Sequence, residues 1–559
     1  MWNQKLSTRD FPTYTSTTLE ATVTPINPQD ASKLCLSCHD GTIALGDTVN
    51  DGLIPFIQGT GYTIPTNSPS NLAANRGFAD DHPFGFVPIA GNEIRNPTAG
   101  DPVRLDAQGK VQCTSCHDPH REYTDTTVGK FLVKSNSGSA ICLTCHVKQG
   151  WDTSSHRTPP DPNEDLKYNT PQGAHTGYVG ITQNGCESCH RPHSPQTNQR
   201  LVKFAEENTC YQCHDGSVAS LSIKTEFLAK TYVHPVNITP SVHDASEKPT
   251  SAAFPLPEVS AAAARHAECV DCHNPHFSNN QPAQPPLVSG ALRGTRGQST
   301  SNGFLLQSTN EFEICFKCHA DSQNKPQYFD TSVAGIGYGR NPQRQFDAGN
   351  PNRYNTRIEF EFSPSYHPVT RVRNLSTGLG GDVPSLRQQP ISPGGPPLPN
   401  RLLSSTSYIY CGDCHNNDTG RNLGTTTGPA GIHGSNQPHL LERTNLLEPP
   451  PAVPGGSSAG VSYSPANYML CDKCHDVQGS ILMNQSFKEH EEHIREASAA
   501  CSTCHDPHAS QAPMLINFDR SIVGPSSSGR LEYHRTGFRT GECYLTCHGQ
   551  DHNPKSYSP

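Results

Sequence analysis

The residues able to do chemistry in this chain are its 22 cysteines and 28 histidines. The cysteines form eleven pairs, each followed at once by a histidine. Ten pairs read C-x-x-C-H: Cys35/Cys38 before His39, Cys113/Cys116 before His117, Cys142/Cys145 before His146, Cys186/Cys189 before His190 and Cys210/Cys213 before His214; then Cys269/Cys272 before His273, Cys315/Cys318 before His319, Cys411/Cys414 before His415, Cys471/Cys474 before His475 and Cys501/Cys504 before His505. The eleventh, Cys543/Cys547 before His548, carries one extra residue between the thiols. This spacing is that of c-type haem attachment, with two thioethers to the porphyrin and the next residue as proximal ligand. One tight turn has to bring both sulfurs to one porphyrin edge while the imidazole swings under the iron. Chance would yield roughly 0.04 such motifs at these residue frequencies. Zinc sites and disulfides use paired cysteines too, but neither requires a histidine after every second one. The reading is eleven covalent haems.

Seventeen histidines lie outside the motifs, against eleven sixth positions. His120, His193, His276 and His508 sit in C-H-x-P-H, too close to their own proximal ligand to fold back under the same iron. They are expected to reach neighbouring haems. His82, His234 and His367 precede proline, which stiffens the backbone beside the ring. His156, His266, His433 and His493, near motifs, complete eleven candidates, with His175, His243, His439, His490, His534 and His552 as substitutes. A solvated surface histidine is the bland alternative for each. Methionines number only four, so thioether ligation is scarce and bis-His, low-potential irons are expected. Saturated irons leave no position for a substrate, which argues for electron transfer over catalysis.

The elements that must position these groups repeat. Four stretches run C-x-x-C-H-x-P-H, a short apolar run, then another motif. They are Cys113–His120, Phe131-Leu132-Val133, Cys142; Cys186–His193, Leu201-Val202, Cys210; Cys269–His276, Phe304-Leu305-Leu306, Cys315; and Cys501–His508, Met514-Leu515-Ile516, Cys543. The sites at Cys35, Cys411 and Cys471 stand singly. His39-Asp40-Gly41-Thr42 and His214-Asp215-Gly216-Ser217 echo one another, so the chain reads as duplicated haem units. Proline-rich spacers at Gln281–Gly303, Gly380–Asn400 and Glu448–Gly460 suggest modules at 1–280 (six motifs), 281–400 (one motif) and 401–559 (four motifs). Loops wrapping haem edges would explain those spacers equally well. Short helices are expected over Ala261–Cys269 and Gln485–Ala500. The expected fold class is mostly irregular coil with short helices and few short strands, a multihaem cytochrome c wrapped around a continuous chain of haems.

Composition agrees. Apolar residues are 33% and charged residues 17% of 559, with 49 prolines and 46 glycines. That is too little apolar matter for ordinary cores. Porphyrins would stand in for it, and the chain without haem should be largely unfolded. No run long enough to span a membrane occurs. The net charge of -9, with scattered Lys and Arg, gives no face for nucleic acid. With ionised propionates the holoprotein would carry about -20 oxidised and -31 reduced, upper bounds that favour cationic partners. Haem attachment implies export, and residues 1–11 lack the zones of a signal peptide, so residue 1 is expected to follow a removed leader.

The doublets, the C-H-D-G-T and C-H-D-G-S pair and the C-H-x-P-H histidines resemble the multihaem cytochromes with doubled C-x-x-C-H motifs of metal-respiring microbes. The resemblance covers nearly the whole chain and is specific to the superfamily, not to one protein. It implies haems in alternating parallel and T-shaped pairs, with the motif histidines proximal and the C-H-x-P-H histidines distal to neighbours. Some such proteins are periplasmic or outer-surface carriers; others polymerise into extracellular filaments. In similar chains a Trp-Asn segment follows a further C-H-T-P-H motif. Here Met1 directly precedes Trp2, which implies a shortened N-terminus and leaves a lost haem open. The expected function is electron conduction along an exported undecahaem cytochrome, extracellular or at the cell surface, with the periplasm as runner-up. Expected partners are other redox proteins, copies of itself in a homopolymer, or extracellular acceptors such as metal oxides. One histidine given across a subunit interface would link copies into a filament. The alternatives are a nitrite, hydroxylamine or sulfite reductase with one open haem, whose common proximal lysine is absent from all eleven motifs, and a component of a porin–cytochrome complex.

Overall fold

The computed structural model describes residues 3–16, 19–23, 30–55, 61–74, 76–91, 93–167, 177–178, 180–197, 199–236, 267–282, 284–321, 343–347, 355–373, 383–392, 402–419 and 428–558. The chain divides into two compact units, Met1–Ser220 with Pro275–Asn280, and Leu221–Asn274 with Gln281–Pro559. Both are mostly coil with short helices. The longest described helices, Ile181–Cys189 and Glu311–His319, have nine residues each. Two-residue antiparallel ladders join Asp47–Thr48 to Gly52–Leu53 in the first unit and Tyr232–Val233 to Gly434–Ser435 in the second. No described helix is long and apolar enough to cross a membrane.

Helix forms where the cysteine pairs are. In eight motifs the histidine N–H donates to the carbonyl of the first cysteine at 2.9–3.0 Å, closing one helical turn: His117, His146, His190, His214, His273, His415, His475 and His505. His39 and His319 end longer helices, Ser32–His39 and Glu311–His319. In several motifs the chain turns extended at the histidine, with φ -121 and ψ 135 at His117 and φ -104 and ψ 138 at His505. That break swings the imidazole away from the turn carrying the thiols.

Apolar side chains gather at attachment points. In the second unit Phe312, Phe316, Ala320, Phe360 and Val369 pack with Cys411. A second cluster of Val461, Tyr468, Val477, Leu482, Ile494 and Ala500 meets Cys501. A third, Phe518, Ile522, Val523 and Leu545, meets Cys504, Cys543 and Cys547. None is large enough to be the core of a domain.

Two expected elements differ. Over Gln485–Ala500 the helix is confined to residues 490–496 and widens over Glu492–Glu496, in which Ala497 N–H bonds Glu492 O. An α-helix would set His490 and His493, three residues apart, on one face, whereas here they turn to different partners. Of the helix expected over Ala261–Cys269, residues 261–266 lie outside the described residues; Glu268 is extended and helix begins at Cys269. The chain also ends in a three-stranded antiparallel meander unforeseen from hydropathy: β1 Glu532–Gly537, β2 Thr540–Cys547 and β3 Gln550–Tyr557. Its strands are too polar to show an apolar alternation. Only Gly541 and Leu545 of β2 are buried.

Candidate haem-binding sites

A recurring backbone clamp holds the motif histidines. The segment Lys130–Val133 folds back on the motif at Cys113: Asp118 N–H bonds Phe131 O, Val133 N–H bonds Cys116 O, and His117 Nδ1 donates to Lys130 O at 2.8 Å. The same three contacts recur for His190 with Arg200–Lys203, His505 with Met514–Asn517 and His415 with His439–Glu442. In each clamp two consecutive non-glycine residues take positive φ, as at Lys130 (57°) and Phe131 (55°), or Met514 (58°) and Leu515 (59°). Left-handed backbone costs roughly 1–2 kcal/mol per residue, so the surrounding bonds impose it. The apolar runs of three doublets are these clamps. In the third doublet Phe304–Leu305 instead pairs with Gly297–Gln298, and Ala291 O takes His273 Nδ1. His39 donates to Ser70 O at 2.8 Å, and His475 Nδ1 lies 3.0 Å from Ser385 Oγ. Sequence patterns missed these groups because a backbone carbonyl has no residue-type signature.

The consequence is chemical. With Nδ1–H committed to a carbonyl, Nε2 keeps its lone pair as a ligand atom. Burial holds the rings neutral: His146, His415 and His475 are pushed down to about 4 and His276 to about 3. A metal-ligating imidazole must be neutral.

Each of nine motif histidines faces a second imidazole. In the first unit the ring pairs are His117–His193, His146–His82, His190–His276 and His214–His156, with centroids 6.1–6.2 Å apart. The second unit pairs His273–His433, His319–His234, His415–His508, His475–His367 and His505–His490 at 6.1–6.4 Å. Two metal–imidazole bonds of about 2 Å, plus about 1 Å from each nitrogen to its ring centre, put such centroids roughly 6.2 Å apart. The gaps fit one iron each. The facing partners are oriented the same way: His82 Nδ1 bonds Pro83 O, His156 bonds Pro275 O, His234 bonds Ile432 O and His367 bonds Pro507 O at 2.5–3.0 Å. His193 and His508 instead bond carboxylates, Asp81 at 2.7 Å and Glu359 at 3.1 Å.

Of the eleven candidates for sixth positions, His82, His156, His193, His234, His276, His367, His433 and His508 face motif histidines. The C-H-x-P-H histidines act at a constant stride, His193, His276 and His508 each facing the motif two before their own. His120 faces no imidazole among the described residues; its side chain is 75% exposed and its Nδ1 bonds Asp118. His266, with His175 and His243, lies outside the described residues. His490 faces His505, and His493 faces His552 at 6.2 Å. His548 does not face an imidazole among the described residues; its Nε2 meets Glu448 Oε1 at 2.5 Å.

Thiol contacts follow motif order. The first cysteines of motifs one and two, Cys35 and Cys113, are in hydrogen-bond contact, and the second cysteines of motifs two and three, Cys116 and Cys145, are neighbours. Cys142 then meets Cys186, and Cys189 neighbours Cys213. In the second unit Cys272 neighbours Cys315, Cys315 meets Cys411, Cys414 neighbours Cys474, Cys471 meets Cys501, and Cys504 neighbours Cys547. Cys315 and Cys318 lie one turn apart on one face of the helix Glu311–His319, which runs through the whole motif. Burial pushes several of these thiols up, Cys116 to about 11 and Cys414 to about 12, as suits sulfur that ends as a neutral thioether.

Comparison with known proteins points the same way. A family model described as the doubled CXXCH motif matches residues 106–150 and 180–219. These stretches contain the first two doublets. A curated protein, the multiheme cytochrome MtrA of Shewanella baltica (strain OS185), is 32% identical over 105 residues, or 19% of this chain. The match spans 24% of that relative's length.

Proposed function

We propose, for a chain that is a multihaem c-type cytochrome with doubled C-x-x-C-H motifs, that it binds eleven covalent haems and conducts electrons along them in motif order. The observation carrying this reading is the serial thiol contact of the first unit, first cysteine to first and then second to second, with imidazole pairs set one iron apart. Regular alternation of two contact types is what alternating parallel and T-shaped haem pairs would require. The haems supply reversible one-electron chemistry. The chain's own residues hold Nε2 toward each iron, keep the imidazoles neutral and exclude water.

The setting that fits is extracellular or periplasmic respiration, with other redox proteins, copies of this chain or metal oxides as partners. A homopolymer is favoured by two histidines of the first unit. His39 has its Nδ1 tied to Ser70 O and faces no imidazole among the described residues, while the exposed His120 is oriented by Asp118 and faces none either. A copy giving one histidine to the next would complete a six-coordinate iron. The open His39 position also suits a reductase, so one titration separates the readings. The reduced, assembled holoprotein is exposed to carbon monoxide and its Soret band followed. The wire reading expects no change on assembly and a shift of about one haem in eleven in isolated protomers. A reactive iron that persists in the assembled state would replace the wire by an enzyme.

A further inference from the structure

We infer that the C-terminal haem takes His493 and His552 as its axial pair, and that His548, the histidine its motif nominates, is instead held by Glu448 and is not a ligand. The inference rests on the haem reading above and specifies which atoms serve its last site.

Three independent features converge. First, the motif at Cys543 is built unlike the other ten. It lies on strand β2, and no helical turn closes between the first cysteine and the histidine. His548 follows the strand in left-handed backbone, φ 50°, at the turn into β3. Second, the Nε2 of His548 is already engaged. It lies 2.5 Å from Oε1 of Glu448, a carboxylate with no solvent exposure. Glu448 also accepts from Ser458 Oγ and Thr503 Oγ1, both at 2.7 Å. A buried carboxylate needs donors around it, and an N–H from His548 supplies the third. A nitrogen donating that bond has no lone pair for iron. Third, a pair with the spacing of the other sites exists beside it. The His493 and His552 rings are 6.2 Å apart, and His493 Nδ1 is tied to Glu489 O at 2.6 Å, which leaves its Nε2 for metal.

Register places this pair at the right thiols. His552 on β3 stands opposite Leu545 on β2, and a bulge lies between Cys543 and Leu545. Residues directly opposite in an antiparallel pair share a face, so His552 lies on the face of Leu545. Cys543 and Cys547 both pack on the apolar cluster that contains Leu545. Phe487 closes the other side, its ring 5.8 Å from His493 and 4.6 Å from Tyr557. The site therefore has two imidazoles, two sulfurs and an aromatic wall, and Cys504 beside Cys547 keeps it in line with the preceding motif. The working motif is C-x-x-x-C followed by a histidine five residues on, with the intervening histidine given to structure.

The test uses the mature holoprotein and two variants, His552→Met and His548→Gln, with haems counted by intact mass. Low-spin electron paramagnetic resonance and the near-infrared ligand bands then report axial ligation. Eleven haems in the wild type are the premise; any other count overturns the haem reading itself. With eleven present, His552→Met is expected to turn one site into His–Met ligation, seen as a new thioether-to-iron band. His548→Gln is expected to leave every low-spin bis-His signal in place. The inference is overturned if His552→Met keeps the wild-type spectrum with eleven haems, or if His548→Gln converts one iron to high spin. Either variant that matures with its full haem count decides the question.

Discussion

Replacing Asp81 by asparagine removes a charge from behind one imidazole and leaves an oxygen to accept its proton. Asp81 is 1% exposed, and its Oδ1 lies 2.7 Å from His193 Nδ1, on the far side of the ring from where His117 faces it. Crossing the ring and a metal bond of about 2 Å puts that charge roughly 7 Å from the iron. At an effective dielectric constant of about 20 the interaction is about 2.4 kcal/mol. For one electron that is about 100 mV. A negative charge favours the ferric state, so Asp81→Asn should raise the potential of the His117–His193 haem by about that amount, with a smaller rise at its neighbour because His82 feels the same carboxylate. Asp80 could compensate. Burial first, and Asp81 second, raise its carboxyl above the usual range, so losing Asp81 lets Asp80 ionise more readily. The double variant Asp80→Asn/Asp81→Asn excludes that route. Optical redox titration of the holoprotein should show about one-eleventh of the amplitude displaced upward. A titration unmoved by more than about 20 mV in the double variant would falsify the assignment of Asp81 as the group that sets this potential.

Three further outcomes follow from the same structure. Asp125 is buried; burial alone would raise its carboxyl, but the Tyr178 hydroxyl and the N–H groups of Val128, Asn136 and Thr127 outweigh it and hold the group at about 2. Its contribution of about 2 kcal/mol is complete above about pH 4 and lost as pH falls toward 2, so denaturation of Asp125→Asn should show lower stability at pH 7 and a flatter acid limb. Lys130→Gly relieves one left-handed residue of the His117 clamp (φ 57°) and should stabilise the protein by up to about 1 kcal/mol with an unchanged Soret spectrum. Lys473, inside motif nine, donates to Glu442 at 2.8 Å and to Asp413 O of motif eight at 2.7 Å; Lys473→Met leaves Glu442 to its second cation, Arg443 at 3.0 Å, and should cost about 1.5–3 kcal/mol in chemical denaturation.

How far this could be read from the chain depends on where the information sits. The cysteine pairs and their histidines are local and chemically unambiguous, so a tight turn at each motif was legible, and at ten of them the structure makes it helical. The coil-dominated fold followed from too few apolar residues to build anything else. The clamps were half legible: Phe131-Leu132-Val133 announced an element, but its work is done by the Lys130 carbonyl, which any residue could present. Facing partners separated by a hundred residues or more, such as His367 with His475, are set by tertiary placement alone. His490 and His493 illustrate the limit. Sequence proximity to Cys501 favoured His493, but the widened turn at Glu492–Glu496 sends His490 toward His505 and His493 toward His552. The C-terminal meander hid because its strands carry mainly polar side chains.

The stride of the C-H-x-P-H histidines explains how so little apolar surface can hold a defined structure. On the proposed haem reading, bridging His117 to His193, His190 to His276 and His415 to His508 through metal would close loops of roughly 75 to 95 residues. In a chain-entropy account a cross-link of that span is worth about 4 kcal/mol. Each bridge would enclose the motif between its ends, and the first two would overlap at residues 190–193. The apolar clusters described above all belong to the second unit, gathered at Cys411, Cys501 and the pair Cys543/Cys547. Coordination also needs no flat apolar face, which is why prolines, glycines and polar residues can fill the intervening chain. The same bonds that set each iron's potential would then order the segments that hold the next iron, making electron path and fold one set of interactions.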